Sequence, residues 1–268
     1  MRREELIELS DLNYAEANRE LSRRAGGAVL DEEGLLFYAG GHPLPVLCNA
    51  AMRTRAEALG PPAATVIARA DAFFGARGRG YTIHVRAHAD PELRSAALAA
   101  GLVEFGNAPA MVLERRLDDA APPAGVTLER VESEAQAEAF RAVMASAYAS
   151  LGMPADVAPA VLRLPVLAAP HIASVLARLE DGTPAAGAMC IQSHGVAGVY
   201  WVGTAPGARG RGLAELCTRA AGNAGFDRGA RIASLQASVM GEPVYRRMGY
   251  REVTRYPAFV RFERPRAA

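Results

Sequence analysis

An apolar run, a glycine-rich turn and an amphipathic segment follow one another near the middle of the C-terminal half. Val196–Val202 is apolar enough for a central strand. The turn Gly207–Gly212, with the sequence GARGRG, separates it from Leu213–Ala221, whose apolar positions share one helical face. A glycine turn lets the backbone approach a ligand, and the free amides of a helix N-terminus attract an anion. The order strand, turn, helix therefore predicts an α/β fold with a site that suits a pyrophosphate.

Two common nucleotide-binding motifs do not fit this turn. A P-loop requires a lysine, but all 30 basic residues of the chain are arginine. The dinucleotide pattern G-x-G-x-x-G/A, started at Gly210, places Glu215 at the third glycine. The lack of lysine also excludes a Schiff-base mechanism. What remains is Arg-x-x-Gly-x-Ala, formed by Arg209, Gly212 and Ala214.

This pattern resembles the loop with which the GNAT superfamily of N-acyltransferases binds the pyrophosphate of acyl-CoA, Arg/Gln-x-x-Gly-x-Gly/Ala. A second motif follows at the expected distance. The strand Arg231–Ser238 leads into Met240–Tyr250, which is similar to the family's closing helix with its tyrosine and final Gly-Phe or Gly-Tyr. The two motifs in order identify about residues 126–264 as GNAT-like. The fold that the resemblance implies is α/β, with a mixed, mostly antiparallel sheet flanked by helices.

The resemblance also implies an activity and a site. A primary amine would attack the thioester of acetyl-CoA directly, without an acyl-enzyme and without a metal. Tyr245 would protonate the departing thiolate, for which a phenol with a reference pKa of about 10 is a suitable donor. The backbone of a splayed central strand would hydrogen-bond the pantetheine arm. The implied cofactor-binding residues are Val202, Gly203, Thr204, Arg209, Gly210, Arg211, Gly212, Leu213, Ala214 and Ser238.

The sequence departs from the family pattern at three points. Ser238 stands where the family often has asparagine, and Gly241 stands where alanine is frequent. The central strand offers no carboxylate as general base. His194, His171 and Glu242 are candidates for that role, and a chain of water molecules is an equal alternative.

A second copy of GARGRG, at Gly75–Gly80, has different surroundings. Apolar positions in Ala63–Phe74 recur at helical spacing, and Tyr81–Val85 alternates like a strand. This copy is therefore expected to end a helix, with Gly75 or Gly78 in a left-handed C-cap. The dipole at a helix C-terminus repels phosphate. The identity of the two hexapeptides is thus a coincidence of composition.

The sequence pattern of the N-terminal half nevertheless indicates a degenerate copy of the same fold. Asp90–Leu102 parallels Gly241–Tyr250, with Ala97 at the place of Tyr245. No Arg/Gln-x-x-Gly-x-Gly/Ala pattern opens its helix, and Asn49–Arg53 lacks the glycines. We expect that this half neither binds CoA nor catalyses, and that it helps to shape the acceptor cleft.

The domain boundary is placed at the most linker-like run of the chain. Residues 118–125 read DDAAPPAG, between two apolar segments. The prediction is a degenerate GNAT-like domain over residues 1–118, a linker over 119–125 and a catalytic GNAT domain over 126–268. A length of 268 residues suits two such domains.

Charge and cysteine content limit the partners and the compartment. With 30 arginines against 29 acidic residues, no net field recruits nucleic acid or an anionic membrane. Three widely spaced cysteines support neither a disulfide framework nor a metal site. The charged start, Met1–Leu6, lacks an apolar targeting segment, and no run of about 18 apolar residues occurs. We expect a cytoplasmic protein whose partner is an amine acceptor, with a homodimer left open.

Two other functions are compatible with parts of this pattern. One is a non-catalytic acyl-CoA-binding or sensor protein. The other is an arginine-rich nucleic-acid binder, against which the balanced charge and the few aromatic residues near the arginines argue. The acceptor itself stays open between a small amine, an antibiotic, an amino acid and a peptide N-terminus.

Overall fold

The computed structural model describes residues 1–55 and 60–262, in which eleven strands form one mixed sheet. The strands are β1 (Ala28–Glu32), β2 (Leu35–Ala39), β3 (Asn49–Arg53), β4 (Tyr81–His84), β5 (Val103–Leu113), β6 (Val126–Arg130), β7 (Ile172–Leu179), β8 (Pro184–Ser193), β9 (Val196–Thr204), β10 (Ile232–Gln236) and β11 (Arg251–Arg261). The helices are α1 (Arg3–Arg24), α2 (Pro45–Cys48), α3 (Ala63–Gly75), α4 (Pro91–Ala99), α5 (Glu134–Ala149), α6 (Val157–Val161), α7 (Leu164–Leu167), α8 (Leu213–Phe226) and α9 (Glu242–Arg247).

The order of the strands shows an internal repeat. Across the sheet the order is β1-β2-β3-β4-β11-β5-β10-β9-β8-β7-β6. Two neighbouring pairs are parallel, β3 with β4 and β9 with β10, and the others are antiparallel. Each parallel pair is joined through a long helix, α3 or α8, as a parallel connection requires. A shorter helix, α4 or α9, then leads into the last strand of each half. The predicted fold class and the tandem repeat are confirmed.

The two halves exchange their last strands. β11, from the C-terminal half, pairs with β4 on one side and with β5 on the other. β5, from the N-terminal half, in turn pairs with β10. Each parallel pair is therefore completed by a strand of the other half, and the sheet is continuous through the exchange. Local sequence patterns contain no sign of this.

Alternating side chains of β8 explain the layers around the C-terminal strands. Ala186, Ala188 and Cys190 pack with the apolar face of α8. Met189 and Ile191 point to the opposite face and pack with Phe140 and Met144 of α5. An alternating strand that is apolar on both faces must be covered on both sides. Burying an aromatic side chain such as Phe140 contributes about 1.5–3 kcal/mol.

Helix α1 belongs to the N-terminal half but packs beneath strands of both halves, including β2, β8 and β9. The amide of Asn13, which is fully buried, donates to the carbonyl of Ile191 over 3.1 Å and to Ser193 Oγ over 2.8 Å. Tyr200 donates its hydroxyl to Asn13 Oδ1 over 2.7 Å. Buried polar groups of this kind must be paired, so the contacts fix the helix in register with β8 and β9.

The predicted elements on either side of both GARGRG copies are confirmed. The copy at Gly75–Gly80 ends α3, where Gly78 has a φ of 60°, and the copy at Gly207–Gly212 precedes α8. The equivalent residues Gly101 and Gly249, after α4 and α9, both have positive φ. Residues 118–125 contain no helix or strand, but the division into domains stays a prediction. Residues 263–268, the end of the predicted catalytic domain, lie outside the described residues. Among the described helices, none is long and apolar enough to span a bilayer.

Candidate functional site

The strands β9 and β10 separate part of the way along their length. Their parallel pairing ends at Gly198 opposite Ser234, although β9 continues to Thr204. A cleft of about 570 Å³ begins where they separate, lined by residues 199–204 of β9 and by Gln236 at the end of β10. Backbone groups on this side of β9 have no strand partner beyond Gly198, so the cleft offers them to a ligand.

A bulge in β9 lies at the same place. The pairing with β8 shifts between Gly187 and Met189, where β9 contains one residue more than its partner. Trp201, within this bulge, has a φ of 50°, which is unusual for a large side chain. A bulge redirects side chains, and strained backbone of this kind concentrates at ligand sites. Trp201 lines the cleft.

The loop before α8 presents a row of free backbone amides at one end of the cleft. Within the described parts of the chain, the amides of residues 210–215 have no hydrogen-bond acceptor. Gly210 and Gly212 make this possible with φ angles of 79° and 73°, and no other atom lies near enough to crowd a side chain there. Gly210, Gly212, Leu213 and Ala214 line the cleft, whereas Arg211 is exposed outside it. Free amides at a helix N-terminus form an anion site.

Arg209 ties the end of β9 to the end of α5. Its guanidinium donates to the carbonyl of Thr204 over 3.4 Å and to the carbonyl of Ala147 over 3.2 Å. It also donates to Ser150 Oγ over 3.1 Å. A cation at the C-terminal end of a helix is favourable, so Arg209 holds the loop in place as well as lining the cleft.

Tyr245, on α9, reaches the cleft from the other side. It is almost fully buried, and burial raises the pKa of its phenol to about 12. Gly241 makes room for the ring, because a Cβ at Gly241 would lie 2.8 Å from Tyr245 Cε2. Ser238 Oγ accepts from the amide of Gly241 over 3.1 Å, which leaves the hydroxyl hydrogen of this cleft residue free to donate.

Two buried polar atoms in the cleft lack a partner among the described residues. They are Gln236 Nε2, on β10, and Thr204 Oγ1, on β9. An unpaired buried polar group costs about 1–3 kcal/mol, so a native structure retains one where a ligand or water completes it. The two atoms lie on the two strands that separate, which makes the space between them a candidate binding site.

The candidate bases lie outside the lining of the cleft. His194 forms the exposed turn between β8 and β9, at the opposite end of β9 from Thr204. His171 Nε2 is 3.0 Å from a carboxylate oxygen of Glu20. Glu242 begins α9 and accepts from Arg246 over 2.6 Å. The structure thus brings together the loop, β9, Ser238 and Tyr245, and leaves these three side chains apart from them.

The N-terminal half supplies another part of the cleft wall. Tyr14, Asn18 and Leu21 lie on one face of α1, and Tyr38 of β2 and His84 of β4 lie beside them. We give the name inter-half chamber to the part of the cleft that is lined by Tyr14, Asn18, Leu21, Tyr38, His84 and Trp201. The expectation that the degenerate half shapes the cleft agrees with this placement.

The chamber carries little charge at neutral pH. Burial lowers the pKa of His84 to about 4, so its imidazole is neutral. Burial also raises the pKa of Tyr14 and of Tyr38 well above the ordinary phenol value. In the described part of the chain, Glu215 is the one carboxylate that lines the cleft, and it pairs with Arg219 over 3.0 Å on α8. No group of His, Cys, Asp and Glu that could hold a metal occurs among the described residues.

Sequence reasoning missed Gln236, Tyr148 and the whole contribution of α1. Gln236 ends an apolar strand as an ordinary polar residue, and no local signal marks it. The stripe of Tyr14, Asn18 and Leu21 has helical spacing, but that spacing equally predicts a core face. Their position in the cleft follows from the packing of α1 against the C-terminal half.

Comparisons with known proteins bear on the fold. The sequence matches no protein-family model, and no curated protein is significantly similar to it. A GCN5-related N-acetyltransferase from Kribbella flavida is 24% identical, with a TM-score of 0.69 over 92% of this chain and 94% of its own. One from Sphaerobacter thermophilus is 15% identical, with a TM-score of 0.59 over 88% and 83%. A tandem GNAT protein from the clavulanic acid biosynthesis pathway is 16% identical, with a TM-score of 0.58 over 87% and 79%.

These three structures share the architecture at low sequence identity. Each covers more than four fifths of the chain and therefore parts of both halves. The protein therefore has the fold of the GNAT superfamily of N-acyltransferases, in its tandem form.

Proposed function

We propose that the protein is an acyl-CoA-dependent N-acyltransferase that moves an acetyl group from acetyl-CoA to a primary amine. The observation that carries this proposal is the junction of two features. The free amides of residues 210–215 lie at one end of a cleft that opens where β9 and β10 separate. An anion site joined to an unpaired strand edge suits a pyrophosphate with an extended amide-containing arm.

The residues in the cleft fit such a co-substrate. The loop amides would hold its pyrophosphate, and the backbone of Val202, Gly203 and Thr204 would pair with its arm. Gln236 Nε2 and Thr204 Oγ1, both buried without a partner in the described structure, would be completed by its polar atoms. Bound acetyl-CoA would supply the acyl group as a thioester.

Tyr245 is the proposed acid. With a pKa raised to about 12 its phenol keeps its proton throughout the neutral range, so it can donate to a sulfur that becomes a thiolate. Gly241 and Ser238 position the ring and the turn before it. Of the routes left open for the proton of the amine, we favour a water chain, because His194, His171 and Glu242 do not line the cleft.

We further propose one co-substrate site per chain. In the N-terminal half the helix α3 follows Pro61 and Pro62, and proline has no amide hydrogen to offer an anion. Arg86, whose side chain is buried against Asp90, donates to the carbonyl of Arg55 next to the end of β3. A buried ion pair thus occupies the place where a ligand would enter between β3 and β4.

Calorimetric titration of the full chain with acetyl-CoA tests the site. We expect one site per chain, with affinity reduced by about tenfold or more in Gly212→Val, since a β-branched residue is strained at a φ of 73°. Gly207→Ala is the matched control, because Gly207 lies in the same loop with open space around it and should bind normally. Unchanged binding in Gly212→Val, or two sites per chain, would contradict the proposal.

Turnover of Tyr245→Phe separates an enzyme from a binding protein. We expect kcat to fall by about 100-fold or more, with the acetyl-CoA affinity unchanged. A protein that binds acetyl-CoA but releases no free CoA with any amine would instead be a sensor. Full activity in Tyr245→Phe would remove Tyr245 as the acid.

A further inference from the structure

Aromatic side chains are concentrated in one cleft of a protein that has few of them. The chain has eight tyrosines and a single tryptophan, and five of those tyrosines together with Trp201 line the cleft. The tyrosines are Tyr14, Tyr38, Tyr148, Tyr200 and Tyr245. This clustering exceeds what the acyl-CoA site requires, since the loop amides and the strand backbone use no aromatic group.

Several of these rings lie between the proposed acid and the inter-half chamber. Tyr148 lies close enough to Tyr245 to interact with it electrostatically. The ring centroids of Tyr148 and Trp201 are 5.4 Å apart, at an interplanar angle of 44°. Trp201 and Tyr38 both line a small pocket that adjoins the chamber. A substrate in the chamber would therefore contact rings along the path to Tyr245.

The chamber lacks the groups that would hold a second charge on the substrate. Tyr14, Asn18, Leu21, Tyr38 and Trp201 carry no formal charge at neutral pH, and the imidazole of His84 is neutral there. Within the described residues, the single carboxylate of the cleft, Glu215, is on α8 and is paired with Arg219. A polyamine or an aminoglycoside would enter this space without a counter-ion, which is unfavourable.

Strained backbone in the chain marks the same place. Four described residues other than glycine have a positive φ. Glu33 and His194 belong to hairpin turns, where such angles are common. The other two are Leu47 and Trp201, and both line the cleft. Val46 and Leu47 have the backbone angles of a type II turn, which requires a positive φ at its third residue, and the side chain of Leu47 is 46% exposed at the cleft.

The mouth of the cleft is also apolar. Leu47, Phe105, Leu151 and Met240 are among the large hydrophobic side chains that are more than 45% exposed, and all four line the cleft. Exposed apolar side chains gathered around one opening indicate an apolar ligand.

We propose that the acceptor is an aryl-alkyl monoamine, whose ring lies in the inter-half chamber among Tyr14, Tyr38 and Trp201 and whose amino group points toward Tyr245. This inference rests on the proposed acyltransfer. An aromatic ring gains offset or edge contacts with the surrounding rings that an aliphatic chain does not. The amine nitrogen forms a bond to the acyl carbon and the carbon–sulfur bond breaks. The sulfur keeps the electron pair and takes the proton of Tyr245, the proton of the amine passes to water, and water returns a proton to the phenolate of Tyr245.

Trp201 allows acceptor binding to be measured without turnover. Because it is the single tryptophan of the chain, its emission reports on the surroundings of this one residue, and the titration is made in the absence of acetyl-CoA. We expect 2-phenylethylamine to change the emission saturably, and spermidine and glycinamide to leave it unchanged at the same concentrations. In the coupled assay of thiol release, 2-phenylethylamine should have the highest kcat/KM of the three. Preference for spermidine or glycinamide in both measurements would overturn the proposal.

A matched pair of variants tests the role of charge. Leu47→Asp places a carboxylate at the mouth, in an exposed position whose left-handed backbone aspartate tolerates. We expect it to raise the kcat/KM ratio of spermidine over 2-phenylethylamine by about tenfold. Leu98→Asp adds the same charge at a residue of α4 that is 49% exposed and outside the cleft, and should leave the ratio unchanged. An equal shift of the ratio in both variants would show that the added charge does not act through its position at the mouth of the cleft, which would contradict the proposal.

The failures of the two proposals have different signatures. A protein that binds acetyl-CoA and acetylates spermidine but not 2-phenylethylamine would retain the proposed function and lose this inference. A protein in which 2-phenylethylamine alone changes Trp201 emission, but which neither binds acetyl-CoA nor releases thiol, would have the chamber without the acyltransfer.

Discussion

At the scale of the residue, the absence of a side chain at Gly241 leaves room for the ring of the proposed acid, Tyr245. Gly241 has an ordinary φ, and yet its Cβ would lie 2.8 Å from the ring of Tyr245. We expect Gly241→Ala to displace that ring and to lower kcat by about tenfold or more, with little change in Tm. Gly207→Ala, where a Cβ has open space, is the control for kcat and Tm. Unchanged kcat in Gly241→Ala would show that the ring adjusts without loss.

His84 couples stability to pH. Its folded-state pKa, about 4, is below the ordinary value of 6.5, so the unfolded chain binds the proton more readily. The contribution of the neutral His84 to the free energy of unfolding is therefore fully present above pH 6.5. It is lost as the pH falls toward 4, and the loss is at most about 3 kcal/mol. Urea unfolding of His84→Gln should show a flatter pH profile in this window. His194→Gln, at the exposed turn, should follow the parent protein, and identical profiles for all three would contradict this account.

Single residues of the site differ in how far the sequence reveals them. Gly212 and Tyr245 were predicted through the resemblance to the GNAT superfamily, which rests on motifs that are local in the sequence. Gln236 and Trp201 depend on where β9 leaves β10, and the pairing that decides this involves residues more than 30 positions apart. The residues next to Trp201 in the sequence do not indicate its positive φ.

At the scale of the element, α1 is fixed to the C-terminal strands by a close approach at Gly198. A Cβ at this position would lie 1.9 Å from Asn13 Oδ1, an atom that already accepts from Tyr200. We expect Gly198→Ala to force α1 away and to lower the free energy of unfolding by about 2–3 kcal/mol. Gly106→Ala, in β5 with open space, should change it little. Denaturant titration compares the two, and equal stabilities would exclude a tight contact.

A helix or strand could be predicted where its capping residues and apolar periodicity lie within its own segment of the sequence. Helix α5 has a capping box formed by Ser133 and Gln136, and β7 is a largely buried apolar run, so the local sequence indicates both elements. The strands β5 and β11 are each the last strand of one half. Their exchange was not predicted, because an apolar strand of this length pairs equally well with either neighbour.

At the scale of the whole molecule, neither half is complete alone. β11 pairs with β4 and β5 of the N-terminal half, and β10 relies on β5 for its second neighbour. We expect residues 126–268, expressed alone, to aggregate or to self-associate rather than to form a monomer with a cooperative unfolding transition. Coexpression with residues 1–118 should restore a one-to-one complex, measured by size-exclusion chromatography. A stable monomer of residues 126–268 would show that β11 can return to its own half.

The exchange of last strands also determines when the protein can fold during its synthesis. β4 lies inside the finished sheet, but its neighbour β11 is the last of the described strands to leave the ribosome. The N-terminal half therefore emerges with an open sheet edge and keeps it until β11 has been synthesised. Folding that waits for contacts between distant parts of a chain is slow and exposes the intermediate to aggregation. A nascent chain of this design would depend on chaperones for longer than one whose first half closes by itself.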